Sequence, residues 1–205
     1  MGLQKFPGLF MARTSAEPLR RKEIVEATIQ QIGLTGTLEV TVAQIARRAG
    51  VSSALVHHYF GSKEAIFLAV MRHVLALYGA EVRGALAGAH QPRARLEALV
   101  LVSFSGANFR RENIAAWLNF YVLAQTMPEA RRLLHIYRRR LNSNLAHALR
   151  PLVGARAPLV AERLGALIDG VYLRQALDQK APDREAAAAL VLGGLDAELL
   201  QGTCP

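Results

Sequence analysis

Six prolines constrain this chain more tightly than any other feature. Pro18, Pro92, Pro128, Pro151, Pro158 and Pro182 all stand where an apolar pattern of 3.6-residue period starts or stops. Proline fits the first turn of a helix but damages its interior, because it lacks an N–H and crowds the preceding turn. These positions therefore read as helix boundaries. The intervals are rich in Ala, Leu, Arg and Glu, and strand-like alternation bounded by hairpin turns is missing. The pattern predicts an all-α chain of about nine helices, near 17–34, 42–49, 53–59, 63–88, 92–109, 112–126, 128–150, 158–179 and 183–200.

The early helices are short with tight turns and the later ones long. A head of three helices over residues 16–62 is expected on a larger helical body over 63–205, joined through the helix that follows Ser62, with residues 1–15 a flexible extension. Hydrophobic residues make up 52% and charged residues 20%, enough for a sizeable core. The opening residues lack the long apolar segment of a secretory signal. No unbroken apolar run reaches the roughly 18 residues of a membrane span; "LGALIDGVYL" comes closest and Asp169 interrupts it. The single cysteine, Cys204, excludes an internal disulfide framework. A cytoplasmic protein is expected. The net charge of +9 favours anionic partners, but it is spread along the chain and carries little weight alone.

The stretch "TVAQIARRAGVSSALVHHYFGSKEAIF", residues 41–67, carries the first functional signal. Thr41 and Gln44 have capping-box spacing. Ile45, Ala46 and Ala49 share one helix face, with Arg47 and Arg48 turned away. Gly50 supplies a left-handed stop, Val51 plugs the turn into the core, and Ser52 caps the next helix. Two short helices about a Gly-containing turn are the helix-turn-helix pattern, whose second helix enters the DNA major groove. The adjacent His57 and His58 point about 100° apart on a helix and cannot share a metal, unlike an i, i+4 pair.

This segment resembles the head of the tetracycline-repressor (TetR) family of bacterial regulators from end to end, including the Tyr-Phe pair and the lysine after the turn. The resemblance implies phosphate contacts from Thr41, Tyr59 and Lys63, groove-facing positions at Ser52, Ser53, Ala54 and His57, and His58 near the DNA backbone. Leu55, Val56 and Phe60 are expected to pack inward. Hydroxyls, an ammonium and a helix N-terminus clamp phosphates without reading sequence. Short serines admit the helix to base edges, and the Ala54 methyl suits a thymine methyl. The reading helix has no Arg, Asn or Gln for bidentate base contacts, which shifts weight towards DNA shape.

In the body, "AAWLNFY" puts Trp117, Phe120 and Tyr121 at i, i+3 and i+4. "LIDGVYLRQAL" buries Asp169 three residues before Tyr172 in an otherwise apolar helix, so Asp169 needs a partner. That partner is an amine ligand, an arginine such as Arg163 or Arg174, or a backbone kink at Gly170. Rings plus one carboxylate are the ingredients of a quaternary-ammonium cage; the same rings also make an ordinary core. "AAWLNFY", "RRRLNSNLAHALR" and "LIDGVYLRQAL" resemble the choline-responsive, BetI-type branch of the TetR family. That resemblance implies a choline-like inducer held by Trp117, Phe120, Tyr121, Asp169 and Tyr172. Tyr121 and Tyr172 stand where tryptophan is usual in that branch, and tyrosine is the weaker cation–π partner.

"AAAALVLGGLDAELL" has small residues that let helices approach closely, as in a two-fold four-helix interface. A homodimer is also what a near-palindromic operator in double-stranded DNA demands. An enzyme would need a nucleophile–base pair, an acid–base pair or metal-ligand spacing, and the sequence offers none. No catalytic residue, metal site or cofactor is expected. The alternatives are a TetR-type repressor answering another apolar or cationic ligand, such as a drug or an acyl thioester, and a ligand-free architectural DNA-binding dimer.

Overall fold

The computed structural model describes residues 11–178 and 180–201. Among these the chain is helical, running α1 (Met11–Thr35), α2 (Val42–Ala49), α3 (Ser53–Phe60), α4 (Lys63–Gly88), α5 (Pro92–Ser103), α6 (Arg111–Thr126) and α7 (Pro128–Val153). A 3₁₀ turn at Gly154–Arg156 leads to α8 (Ala157–Leu177) and α9 (Arg184–Leu200). Residues 1–10 of the expected extension lie outside the described residues, whereas Met11–Ser15 already belong to α1.

The chain divides into two compact units, one ending at Val70 and the other starting at Met71. The division falls inside α4 rather than at Ser62, where the change in helix length suggested it. Ile66, Phe67 and Val70 are buried, so the first turns of α4 count with the smaller unit. In that unit Ile24, Ile32, Val40, Ile45 and Val56 form the core. Thr28 is fully buried and donates its hydroxyl to the Ile24 carbonyl at 2.7 Å, which satisfies it within its own helix.

The turn between α2 and α3 is built as its residues dictate. The Gln44 amide donates to Thr41 Oγ1 at 3.1 Å while the Thr41 amide donates to Gln44 Oε1 at 2.7 Å, a complete capping box. Gly50 has φ 66°, the Gly50 amide reaches the Arg47 carbonyl, and the Val51 amide reaches the Ala46 carbonyl at 3.0 Å. Ser52 Oγ then accepts from the Leu55 amide at 3.2 Å.

The proline reading needs two corrections. Pro18 lies inside α1 and Pro151 inside α7. Pro151 is exposed one turn from the end of its helix, where water can satisfy the carbonyl its missing N–H leaves free. The helix expected to reach residue 109 stops at Ser103, because Asn108 folds back and donates its side-chain amide to the Val102 carbonyl at 3.2 Å. By length and composition α4 could cross a membrane, with mean hydropathy 1.5 over its best window. Arg72 and Glu81 interrupt its apolar runs, so the unbroken-run criterion missed it. Its face at Ile66, Phe67, Val70, Met71, Val74 and Val82 is buried in protein, as in a core helix.

Two glycines in open surroundings should respond oppositely to a methyl group. Gly50→Ala forces a side chain into the left-handed region and should destabilise the protein by about 1 kcal/mol. Gly84 lies mid-helix in α4 at ordinary φ with nothing near its missing Cβ, so Gly84→Ala should be neutral or stabilising by up to about 1 kcal/mol. Urea denaturation midpoints of the two variants check the difference in sign.

Candidate DNA-reading face and ligand chamber

On α3 most of the residues expected to meet DNA are exposed, while of those expected to pack only Val56 is fully enclosed. Ser52, Ser53, Ala54, His57 and His58 are exposed, Tyr59 is half-buried, and Val56 is fully buried. Leu55 and Phe60 are half-buried, less enclosed than their inward assignment implied. His57 Nδ1 lies 3.3 Å from the Gly61 carbonyl; donation there leaves Nε2 as an outward acceptor. Thr41 is exposed, but its hydroxyl already engages Gln44 in the capping box.

Ser62 caps α4 by accepting from the Ala65 amide at 3.1 Å. Beside it Lys63 is half-buried, its Nζ 5.5 Å from the Phe67 ring centre. The Glu64 carboxyl is held below the usual carboxylate range, first by a backbone N–H and then by the Ser62 hydroxyl. Sequence reasoning missed Arg21. Its guanidinium carbon stands 5.5 Å from the Tyr59 ring centre and 5.2 Å from that of Phe60, buttressing α3 from α1.

In the body a small chamber is walled by five rings: Tyr78 from α4, Trp117 and Tyr121 from α6, Tyr137 from α7 and Tyr172 from α8. Ser103, Asn108 and Asp169 complete it. The Trp117 ring centre lies 4.7 Å from Tyr137 and 5.9 Å from Tyr121, and Tyr78 meets Tyr137 edge-on at 5.9 Å. Four of the five expected ligand residues therefore converge. Phe120 is not among the lining side chains; it is fully buried in the core, its ring in a T-shaped pair with Trp117 at 6.2 Å between centres. Tyr78, Tyr137, Ser103 and Asn108 had no place in the sequence reading. The one legible signal was Tyr137, a hydroxyl-bearing ring in the buried stripe Leu134, Leu141 and Leu145.

Asp169 is held by Tyr121, whose hydroxyl donates to Oδ1 at 3.0 Å, and by Arg138, whose Nε lies 3.7 Å from Oδ2. Arg163 and Arg174, named from the sequence, are six and five positions away along α8 and so project from other faces; Arg163 pairs with Glu198 at 2.7 Å instead. Burial raises the Asp169 carboxyl above its usual range, opposed by the Tyr121 hydrogen bond and then by Arg138. Burial also raises the phenols of Tyr78, Tyr121, Tyr137 and Tyr172. The chamber thus presents neutral rings around one carboxylate. Its free volume is about 10 Å³, space for about one water.

A loop between α5 and α6 closes one side of the chamber. Tyr172 donates to the Ser103 carbonyl and packs against Phe104 at 5.8 Å and Phe109 at 5.1 Å. Glu81 Oε2 accepts from Ser105 Oγ at 2.6 Å and from Asn108 Nδ2 at 2.7 Å, pinning the same loop to α4.

Two family models match the chain. Residues 24–70 match the family described as bacterial regulatory proteins, tetR family, and residues 92–200 match the C-terminal domain of BetI-type transcriptional repressors. The chain belongs to the TetR family, with a BetI-type body. It is 52% identical over 182 residues to the HTH-type transcriptional regulator BetI of Brucella canis, covering 88% of this chain and 92% of that one. Against BetI of Rhizobium meliloti it is 47% identical over 190 residues, covering 92% and 94%.

Solved structures share the fold. A putative regulator from Pseudomonas aeruginosa PAO1 gives TM-score 0.76 at 24% identity, covering 89% of this chain and 91% of that one. A putative regulator from Saccharomonospora viridis, solved in complex with choline, also gives TM-score 0.76 at 24% identity, covering 86% and 95%. The protein is accordingly a DNA-binding transcriptional regulator, and its families are regulators rather than enzymes. That work places it in the cytoplasm.

The loop ties make a prediction about the TetR-family body. Tyr172→Phe leaves the buried Ser103 carbonyl without its donor and should cost about 1–2 kcal/mol. Urea unfolding followed by the emission of Trp117, the sole tryptophan, measures it.

Proposed function

We propose that this regulator is a homodimeric repressor of choline and glycine-betaine pathway genes, released from a near-palindromic operator when a trimethylammonium compound such as choline enters the ring-walled chamber. One observation carries the ligand class: Asp169 stands among Trp117, Tyr121, Tyr137 and Tyr172 as the chamber's carboxylate. A trimethylammonium group donates no hydrogen bonds, so ring faces suit its surface while a carboxylate offsets its charge. The relationship to BetI of Brucella canis, and the choline complex of the Saccharomonospora viridis regulator, support the same reading. The nearly filled chamber means that the ligand selects a more open state. Release follows if that state is the one that binds operator poorly.

Exposed Leu159, Leu173 and Leu177 on α8 and Leu190 and Leu200 on α9 support a two-fold pairing through these helices. Close packing between them helps: at Gly194 a Cβ would lie 2.8 Å from a Leu167 methyl. In the dimer Ser52, Ser53, Ala54 and His57 read the major groove while Thr41, His58, Tyr59 and Lys63 hold the backbone, and the protein resides on the nucleoid. A second reading, a larger apolar or cationic ligand, draws on the open groove of about 800 Å³ between α6, α7 and α8. It predicts that choline leaves the operator complex intact.

Choline should change Trp117 emission saturably, and its uncharged isostere 3,3-dimethylbutan-1-ol should bind at least about tenfold more weakly, since each desolvated cation–π contact is worth about 1–2 kcal/mol. A cation favours ionised Asp169, whose carboxyl is raised by burial. Acidification should therefore weaken choline through a midpoint above the usual carboxylate range. The facing phenols stay neutral across that window, and Asp169→Asn should abolish the dependence. Isothermal titration from pH 4 to 8 reads both, and equal affinity for the two ligands would sink the proposal.

Lys63→Ala should weaken operator and random DNA alike and reduce the salt slope by about one. Ser53→Ala should instead reorder the preference among operator variants. Anisotropy titrations across potassium chloride concentrations distinguish the two. An altered base preference with an unchanged salt slope for Lys63→Ala would reverse the assignment.

A further inference from the structure

The chamber and the outer groove share a wall. Tyr121 and Asp169 line both, and Arg138 stands in the groove on the far side of them. Its guanidinium carbon lies 5.8 Å from the Tyr121 ring centre and its Nε 3.7 Å from Asp169 Oδ2. Tyr121 in turn donates to the other carboxylate oxygen at 3.0 Å. One cation thus lies against one of the rings and the carboxylate that the proposed function assigns to the ligand's charge. The chain supplies its own cation to its own cation site.

We infer that Arg138 is a tethered competitor and latch, which holds the Tyr121–Asp169 wall shut and must be released before a quaternary ammonium can pair with Asp169. This inference rests on the proposed function and deepens it. Geometry suits the role. The Arg138 side chain is 56% exposed, so water can solvate the guanidinium when it swings away, whereas Asp169 is only 24% exposed and has few other partners. An ion pair of 3.7 Å whose arginine is open to water is loose enough to yield. A neutral molecule of the same shape gains nothing from displacing Arg138. The latch therefore sets the threshold concentration for cations in particular.

The latch is tested by titrating Trp117 emission in the full-length wild-type protein and in Arg138→Gln and Arg138→Lys, with choline and with 3,3-dimethylbutan-1-ol. Arg138→Gln should tighten choline by about fivefold, the scale of a loose ion pair with a solvated cation and its ring contact. It should leave the neutral isostere unchanged. Arg138→Lys keeps a cation beside Asp169 and should stay closer to wild type than to the glutamine variant.

Equal choline affinity in wild type and Arg138→Gln would overturn the inference. Weaker choline binding in Arg138→Gln would also overturn it, since Arg138 would then support the site or contact the ligand. An equal gain for choline and isostere would mean that the substitution merely widened the entrance. Saturable choline binding that ignores Arg138 removes the latch alone. Failure of every trimethylammonium compound to perturb Trp117 in any of the three proteins removes the proposed function, and the latch with it.

Discussion

A carboxylate placed among aromatic rings must find partners or lose its charge, and the body of this protein is arranged around that requirement. Asp169 interrupts the apolar face of α8. Desolvation favours its neutral form, while a Tyr121 hydroxyl and an Arg138 guanidinium favour its charged form. Satisfying it draws α6 and α7 to one point on α8. The remaining walls, Tyr78 and Tyr172, are fixed by hydroxyl contacts to Ser103. An apolar residue at 169 would remove the need for these polar partners. A buried polar network that is fully satisfied also specifies one arrangement of its helices more sharply than apolar packing does.

The smaller unit meets a different demand. Its short helices cannot hold themselves together by hydrogen bonds alone, because helices of this length are marginal in water. Local devices compensate: the capping box at Thr41 and Gln44, the left-handed Gly50, and the Ser52 and Ser62 caps. Tertiary contacts complete the assembly, with Val56 buried beneath α3 and Arg21 laid against Tyr59 and Phe60. The outer face of α3 is left free of such duties, and it carries Ser53, Ala54, His57 and His58. Packed and exposed residues thus fall on different faces of the same eight residues.

Much was legible in the amino-acid sequence because it is governed by near neighbours. Capping and left-handed stops act over three or four residues, so α2 and α3 could be placed from "TVAQIARRAGVSSALVHHYF" alone. The same local logic put Trp117 and Tyr121 on one helix face and marked Asp169 as a group in need of a partner. It failed at Pro18 and Pro151, where a helix tolerated what the local rule forbids, and at Ser103, where a side chain from the following loop ended the helix. The partners of Asp169 lie 48 and 31 positions away, on other helices, and no periodicity within α8 points to them. Tyr78 and Tyr137 join the chamber only because tertiary packing brings their rings together from α4 and α7, and Phe120 leaves its lining because the turn of α6 carries it into the core. The sequence by itself determined the helices, their caps and the residues that demand company; only tertiary packing decided which company they keep, because side-chain partners follow from how helices cross and not from spacing along any one of them.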